Sequence, residues 1–378
     1  MNKILLWLCI FLLGSCSSTD TSMKTSSLTQ KKVPKSDILY TMSEESELHE
    51  GTWLQWPHHH QYGKTYRDRL DSTWGEMTKA LQSSENVHII VYDEVEKKRV
   101  LELLEKAKIT LKNIDFTIIP NDDVWVRDNG PIYVRDSAGK LVIQDWGFNG
   151  WGEKEDFEDS ETVPTHIATL QKRKVVNLDD VMINEGWAIE IDGNGTLMAT
   201  KSSILNENRN PWMTQKQAES ILKKYLWVTN FIWLDGVAGL EITDMHIDGF
   251  AKFLNENTII TMNDEDLEEW EVPKSDREIL FAAKNKNGEV YDFVELPLTK
   301  NEVSTAYGKK LWYKWSYINY YIANTVVLVP NYKDPNDGIA NALIQKLYPT
   351  RKIVWIDVRN LYENGGMIHC VTQQQPKE

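Results

Sequence analysis

The sequence is poor in cysteine, in long apolar runs and in basic charge, and each shortage excludes a class of protein. Two of its three cysteines, Cys9 and Cys16, lie in a short apolar stretch at the start. The folded part therefore keeps one thiol, Cys370, and has no partner for it in a disulfide. A net charge of −14 argues against nucleic acid as a partner, because phosphate binding requires clustered Lys and Arg. An acidic surface favours the approach of a cationic ligand instead.

The apolar stretch at the start has the layout of an export signal. Lys3 precedes residues 4–13, an apolar run far shorter than a membrane span, and Leu13-Gly14-Ser15-Cys16 ends it with small residues. This layout resembles a bacterial lipoprotein signal, in which Cys16 would be lipidated. The alternative is an ordinary cleaved signal with a coincidental cysteine.

The rest of the chain divides into a tether and a folded domain. Residues 17–36 are polar and small, as expected of a flexible tether behind a lipid anchor, and 37–378 are expected to form a single catalytic domain. No later segment is apolar enough to span a bilayer. We therefore expect an extracytoplasmic bacterial lipoprotein, anchored through Cys16 to a membrane and facing the outer membrane or the periplasm.

A repeated unit of hairpin, helix and buried strand runs along the domain. Predicted hairpins span 131–143, 188–200, 249–262 and 318–330, and predicted buried strands span 116–120, 174–178, 231–234, 290–296 and 352–357. Helical spacing appears at Leu70/Trp74/Met77/Leu81, at Ala218/Ile221/Leu222/Tyr225 and at Ile339/Ala342/Leu343/Leu347. The first unit is split, and pairing of 52–57 with 368–372 would close a ring. The pattern predicts an α/β fold, a five-bladed α/β propeller with pseudo-fivefold repeats.

Polar residues stand where a strand of one unit leads into the next hairpin. They are Trp125 and Asp128, Glu185, His246 and Asp248, Asn319, and Cys370. Equivalent placement in every unit predicts one axial site. Beside Cys370, Gly365 and Gly366 allow the backbone to approach another group closely, which favours a nucleophile over a buried apolar thiol.

A thiol, an imidazole and several carboxylates form a poor site for acyl transfer, which calls for an oxyanion hole. They suit a guanidinium, because carboxylates bind its forked donors and Trp125 can stack on its planar face. The thiolate of Cys370 would attack the central carbon, and His246 would protonate the departing nitrogen and later deprotonate water. This chemistry requires no metal and no cofactor.

These residues lie in stretches that resemble one family. The stretches are His49-Glu50-Gly51-Thr52-Trp53-Leu54-Gln55-Trp56-Pro57, Trp125-Val126-Arg127-Asp128-Asn129-Gly130-Pro131, Asn206-Glu207-Asn208-Arg209-Asn210-Pro211, and Gly366-Met367-Ile368-His369-Cys370-Val371-Thr372-Gln373-Gln374-Gln375-Pro376. The chain resembles the agmatine deiminase and bacterial peptidylarginine deiminase family, in the guanidine-modifying superfamily of pentein-like propellers. The last stretch is the most specific of the four.

The resemblance implies a role for each site residue. Cys370 matches the nucleophile and His246 the general acid/base, Asp128 and Asp248 the pair that grips the guanidinium, and Glu185 the carboxylate that supports the histidine. Asn319 matches a polar residue of the site wall. The implied reaction is hydrolysis through a covalent thiouronium intermediate, releasing ammonia and leaving a ureido product.

Three candidate substrates remain. Agmatine, converted to N-carbamoylputrescine, is favoured, and arginine in a peptide or protein, converted to citrulline, is the alternative. Free arginine is a further candidate. An alternative of another class is a surface lipoprotein that binds cationic ligands without turnover. The sequence leaves the oligomeric state open.

The chain departs from agmatine deiminases near the substrate, so specificity is more in question than catalysis. It has Glu185-Gly186-Trp187 where they usually have Glu-Gly-Gly, and Thr243-Asp244-Met245 where they have Thr-Asn-Gly. His369 is a tempting base beside Cys370. Adjacent residues on a strand face opposite ways, however, so a structural role is expected for it.

Overall fold

The structure, a computed structural model, describes residues 40–378. The predicted signal at 1–16, the lipidation of Cys16 and the tether at 17–36 lie outside the described residues. Within the described part no helix is both long enough and apolar enough to cross a membrane.

Strands and helices alternate along the chain, which is an α/β protein. The strands are β1 (Thr41–Met42), β2 (His49–Gln55), β3 (Asn86–Val91), β4 (Ile114–Ile118), β5 (Ile132–Arg135), β6 (Leu141–Asp145), β7 (Val175–Asn177), β8 (Ile189–Ile191), β9 (Thr196–Thr200), β10 (Asn230–Leu234), β11 (Ala251–Asn255), β12 (Thr258–Thr261), β13 (Asp292–Glu295), β14 (Tyr321–Ile322), β15 (Val326–Asn331), β16 (Lys352–Asp357) and β17 (Gln373–Pro376). The helices are α1 (His59–Leu81), α2 (Glu94–Lys106), α3 (Val126–Asn129), α4 (Gly150–Glu153), α5 (Val163–Gln171), α6 (Lys201–Ile204), α7 (Gln215–Leu226), α8 (Asp264–Glu269), α9 (Lys274–Phe281) and α10 (Asp337–Leu347).

The strands form five separate sheets with one shared plan. In each sheet two antiparallel strands are followed by a parallel strand, as in β5, β6 and β7 or in β14, β15 and β16. All four predicted hairpins are confirmed as antiparallel pairs. None of the sheets within residues 40–378 closes on itself.

The split first unit is confirmed, but the strand that pairs with its N-terminal part lies later in the chain than predicted. Strand β2 pairs with β17, at 373–376, and not with 368–372. Residues His369–Val371 form a single 3-10 turn instead. Side-chain contacts stabilise this turn, because Thr372 Oγ1 donates to the carbonyl of Ile368 at 2.9 Å and the backbone N–H of Met367 donates to the Cys370 sulfur at 2.9 Å.

The strands expected to be buried lie mostly at sheet edges. Within β16, Trp355 is 62% exposed, and Ile118 of β4 is 37% exposed. Strand β10 alone among the five predicted strands buries a run of three side chains, Ile232, Trp233 and Leu234. An apolar run therefore did not distinguish a partly covered edge strand from a central one.

The helices pack their apolar faces on these sheets. The predicted face of α1, with Leu70, Trp74, Met77 and Leu81, is buried, and so is that of α7. A capping box between Thr214 and Gln217 starts α7.

The predicted face of α10 was wrong by about one residue. Ala340 and Ile344 are buried, whereas Ile339 is 53% exposed. The start of the helix sets its rotation, because Asp337 Oδ1 accepts from Tyr317 Oη at 2.8 Å and from the Tyr332 N–H at 3.1 Å.

Candidate active site

The five loops that lead from the outer strand of one sheet to the hairpin of the next carry the predicted site residues. Trp125 and Asp128 lie at α3 between β4 and β5, and Glu185 lies between β7 and β8. His246 and Asp248 lie between β10 and β11, Asn319 between β13 and β14, and Cys370 between β16 and β17. All of these side chains are buried.

Cys370 lies in the 3-10 turn with its sulfur among polar groups. The sulfur accepts from the backbone N–H of Met367 and donates to Asn319 Oδ1 at 3.3 Å. Gly366 makes room for it, since a Cβ there would lie 2.2 Å from Trp125 Cζ3 and 3.1 Å from the sulfur. The close approach expected of this glycine is therefore confirmed. Burial and the nearby Asp248 carboxylate raise the pKa of the Cys370 thiol well above its ordinary value.

His246 faces two carboxylates. Its Nε2 lies 3.0 Å from Glu185 Oε2, and its Nδ1 lies 3.9 Å from Asp128 Oδ2. Burial disfavours the charged imidazole, but Asp128 and Glu185 outweigh burial and raise the pKa of His246. The imidazolium form of His246 is therefore available as a proton donor.

Asp128 is held by two neutral donors. Trp151 Nε1 donates to its Oδ2 at 2.7 Å, and the backbone N–H of Trp187 donates to its Oδ1 at 3.2 Å. Burial raises the pKa of Asp128 to about 7, although the neighbouring His246 opposes that rise. A cation brought next to Asp128 would favour its ionised form.

Asp248 is fixed through one of its two oxygens. Asn319 Nδ2 lies 2.7 Å and His369 Nδ1 2.8 Å from Oδ2. Asn319 thus connects Asp248 to the thiol, because its Oδ1 accepts from Cys370. Within residues 40–378 no hydrogen bond is formed by Oδ1 of Asp248, which leaves this oxygen for a ligand.

The orientation argument for His369 was wrong, because this residue is in the 3-10 turn and not on a strand. Its ring lies in the same region as Cys370, where it contacts Asp248. The strand rule of alternating faces does not hold in a turn, and no local pattern in the sequence indicates the turn.

Two neighbouring cavities share six lining residues, one of which is Trp187. One of about 680 Å³ is lined by Cys370, His246 and Asp248, and one of about 300 Å³ is lined by Asp128. The Trp187 indole lines both cavities. It packs edge-on against Trp125 and His246, with ring centroids 6.1 and 5.8 Å apart, and its buried Nε1 has no hydrogen-bond partner within the described chain. The two carboxylates expected to grip one guanidinium therefore face different cavities.

Sequence reasoning missed a buried ion cluster behind the histidine. Arg209 Nε donates to Glu185 Oε1 at 2.6 Å, and Arg209 Nη1 donates to Asp244 Oδ2 at 2.5 Å. Arg209 lies in one of the four stretches that resemble the family, but the sequence analysis predicted no role for it. Arg209 fixes the carboxylate that supports His246.

The chain departs from Thr-Asn-Gly at a point where its backbone is left-handed. Asp244 has φ 63° and Met245 has φ 74°, a region that favours asparagine and glycine. This backbone directs the Asp244 carboxylate to Arg209 and to Lys154 Nζ, which lies 2.7 Å from Oδ2. The larger Met245 side chain, absent from a glycine, lines the cavity of Cys370.

Carboxylates and aromatic rings surround the mouth of the larger cavity. The acidic residues are Glu241, Glu269, Glu271, Glu302 and Glu363, and the rings are Trp270, Trp312, Tyr313 and Trp315. Lys314 is the one Lys or Arg among the described side chains that line it. This composition attracts a cation.

The fold and these side chains define a hydrolase that acts on the C–N bonds of linear amidines. The chain matches the family described as Porphyromonas-type peptidyl-arginine deiminase over residues 41–376. It belongs to this family.

Relatives in the family share much of the chain's length. The putative agmatine deiminase of Latilactobacillus sakei is 30% identical over 91% of this chain and 97% of the relative. The agmatine deiminase of Pseudomonas aeruginosa is 30% identical over 89% of this chain and 95% of the relative. The solved agmatine deiminase of Enterococcus faecalis superposes with a TM-score of 0.78, at 26% identity, over 89% of this chain and 96% of that one. A variant of the C. jejuni agmatine deiminase, solved with substrate bound, gives a TM-score of 0.77, at 27% identity, over 92% and 99%.

Proposed function

We propose that the protein is a guanidine deiminase that converts agmatine and water to N-carbamoylputrescine and ammonia. The observation that carries this proposal is the grouping of Cys370, His246 and Asp248 at one cavity, with Asp128 and Glu185 directly behind the histidine. Relatives named as agmatine deiminases, 30% identical over most of this chain, favour agmatine as the guanidine.

In the proposed reaction the substrate's charge activates the enzyme. A guanidinium beside Asp248 and Asp128 offsets the carboxylates that raise the pKa of the Cys370 thiol. The thiol then releases its proton to solvent, and the thiolate attacks the central guanidinium carbon. His246 donates a proton to one nitrogen, the C–N bond breaks, and ammonia leaves a thiouronium on the sulfur.

Water completes the cycle. His246, now neutral, takes a proton from a water molecule, and the hydroxide attacks the thiouronium carbon. The C–S bond breaks, and Cys370 leaves as the thiolate. The hydroxyl proton passes to this sulfur, which restores the thiol, and the carbon keeps its new oxygen as the carbonyl of a ureido group. Glu185 and Arg209 hold the imidazole through both steps.

Peptidyl arginine is the second candidate, and two observations favour it. The family description names a peptidyl-arginine deiminase, and the wide acidic mouth carries Trp312, which is 68% exposed and available to a longer substrate. A binding protein without turnover is the alternative from another class.

One assay separates these readings. Ammonia and ureido product are measured with agmatine, free arginine and an arginine peptide, using Cys370→Ala as the blank. Agmatine is expected to give the highest kcat/KM. A higher kcat/KM for the peptide would make peptidyl arginine the substrate in place of agmatine. No product from any of the three would favour the binding protein.

We also propose that the five sheets are blades of one propeller around the site. Each sheet has the same strand plan, and each inter-sheet loop supplies a site residue. A crystal structure tests this: sheets that do not surround a common axis would contradict it.

The proposed location is extracytoplasmic, through a lipid on Cys16. Lys3, the apolar run at 4–13 and the small residues before Cys16 support it. An anchored enzyme would meet guanidines outside the cytoplasm.

A further inference from the structure

The side chain of Glu45 is 9% exposed and lies beside the side chains of Lys252, Arg127 and His369. Its Oε2 lies 2.6 Å from His369 Nε2, 3.3 Å from Lys252 Nζ and 3.3 Å from Arg127 Nη2. Its Oε1 accepts from the backbone N–H of Ile322 at 2.8 Å. Burial opposes ionisation of Glu45, but Lys252 and His369 outweigh it and hold the pKa of this carboxyl well below its usual range.

His369 joins Glu45 to Asp248. One ring nitrogen is 2.6 Å from Glu45 Oε2, and the other is 2.8 Å from Asp248 Oδ2. An ionised carboxylate only accepts hydrogen bonds, so each ring nitrogen of His369 faces an acceptor and the ring is held between the two carboxylates. The ring lies directly beside the carboxylate assigned to the substrate.

Glu45 holds the His369 ring in place. Lys252 Nζ lies 3.4 Å from His369 Nε2, and Arg127 is bound to the same carboxylate as Lys252. Removing the charge of Glu45 would leave Lys252 and Arg127 facing one another without their shared counter-charge, in a place where repulsion is strong. It would also remove the acceptor of His369 Nε2, and rotation of the ring would release Asp248 Oδ2.

We propose that Glu45 and His369 are positioning residues for the deiminase reaction: they orient Asp248 so that its other oxygen binds the substrate's guanidinium. This deepens the proposed function and rests on it, because it assigns the cation to Asp248. Glu45 comes from the segment between β1 and β2, so this N-terminal segment completes the site from outside the five catalytic loops.

Alkylation of Cys370 tests the proposal without turnover. Chloroacetamidine carries a planar amidinium with forked donors, as a guanidinium does, whereas iodoacetamide is neutral. Peptide mass spectrometry gives the rate at Cys370 for each reagent, and the ratio of the two rates reports binding of the cation. Circular dichroism and the iodoacetamide rate show that each variant is folded.

The test variant is Glu45→Gln, and its matched control is Glu44→Gln. Glu44 is in the same segment but bonds Ser46 and does not touch the cationic groups. We expect Glu45→Gln to lower the ratio by roughly ten- to a hundredfold, the effect of removing groups that orient a ligating side chain. The control is expected to stay at the wild-type value, and KM for agmatine is expected to rise in parallel with the loss.

His369→Leu is the second variant, in case Glu45→Gln does not fold. Leucine cannot donate to Asp248, so Asp248 Oδ2 loses this bond and the ratio is expected to fall as well. A ratio within twofold of the control in both variants would overturn the proposal. A wild-type protein that shows the cation preference but deiminates no guanidine would refute the proposed function and leave this role of Glu45 standing.

Discussion

Arg209 is expected to be the most sensitive position behind the catalytic histidine. Its side chain has no exposed surface and lies between Glu185 and Asp244, whose side chains are 0% and 2% exposed. Its Nη2 also donates to the Thr243 carbonyl at 3.0 Å. Arg209→Leu keeps apolar volume but leaves both carboxylates without this partner.

The cost can be estimated from the burial. Removing one partner of a buried ion pair destabilises a protein by about 3–5 kcal/mol, because the remaining charge stays desolvated. At about 2 °C per kcal/mol for a large domain, the melting temperature should fall by roughly 6–10 °C. Lys154 still contacts Asp244, and His246 still contacts Glu185, so the lower end of this range is expected.

Thermal unfolding of Arg209→Leu, Arg209→Lys and Arg277→Leu measures this. Arg277 is the matched control, since it is buried but its carboxylate partners, Asp264 and Glu268, are 63% and 71% exposed. Exposed partners can return to water, so Arg277→Leu should lose far less from its ion pairs. Lysine at 209 keeps the charge without the fork and should lose an intermediate amount. Equal losses for Arg209→Leu and Arg277→Leu would refute the reasoning.

Three further predictions concern chemistry, charge and location. Cys370→Ala should abolish ammonia release while leaving the circular dichroism spectrum unchanged, and appreciable turnover would end the covalent mechanism. Asp128→Asn should lower kcat/KM, because it removes transition-state stabilisation on the order of 2–5 kcal/mol. Because burial raises the pKa of Asp128 to about 7, wild-type stability from this group is present at low pH and is lost as pH rises through 7. Without ligand, the melting temperature of Asp128→Asn should therefore rise relative to that of the wild-type protein between pH 5 and pH 8. A difference in melting temperature that stays the same at both pH values would contradict this. In cell fractionation the wild-type protein is expected in the membrane fraction, and Cys16→Ser is expected to be absent from it. A wild-type protein in the soluble fraction would refute the lipid anchor.

Local pattern was enough to predict the α/β units, because each hairpin and amphipathic helix is encoded within a short stretch. It also predicted that the candidate site residues lie in the loops before the hairpins, since equivalent loops repeat the same position relative to a hairpin. The turn at Cys370 was not predictable, because it depends on a contact between residues 367 and 370 and on Trp125 from a distant loop. The face of α10 was missed for a similar reason, since Asp337 sets it by bonding Tyr317.

Glu45, Arg209 and His369 show what sequence alone could not supply. Each owes its role to partners far along the chain, as Arg209 does to Glu185 and Glu45 does to His369. A buried charge has no local signature, because its partner is fixed only by the packing of separate loops. The family resemblance marked the stretches that contain Arg209 and His369, but it carried no geometry.

The charges of the site explain why a cation is the fitting ligand. Glu185 has Arg209 and His246 as partners, and Asp248 is bonded by His369. Asp128 has only neutral donors at bonding distance, with His246 3.9 Å away, and burial raises the pKa of Asp128 to about 7. A guanidinium would supply the positive partner that Asp128 lacks. Trp187 is one of six residues that line both cavities. Its indole packs edge-on against Trp125 and His246, so the residue at which this chain departs from Glu-Gly-Gly is in contact with the site.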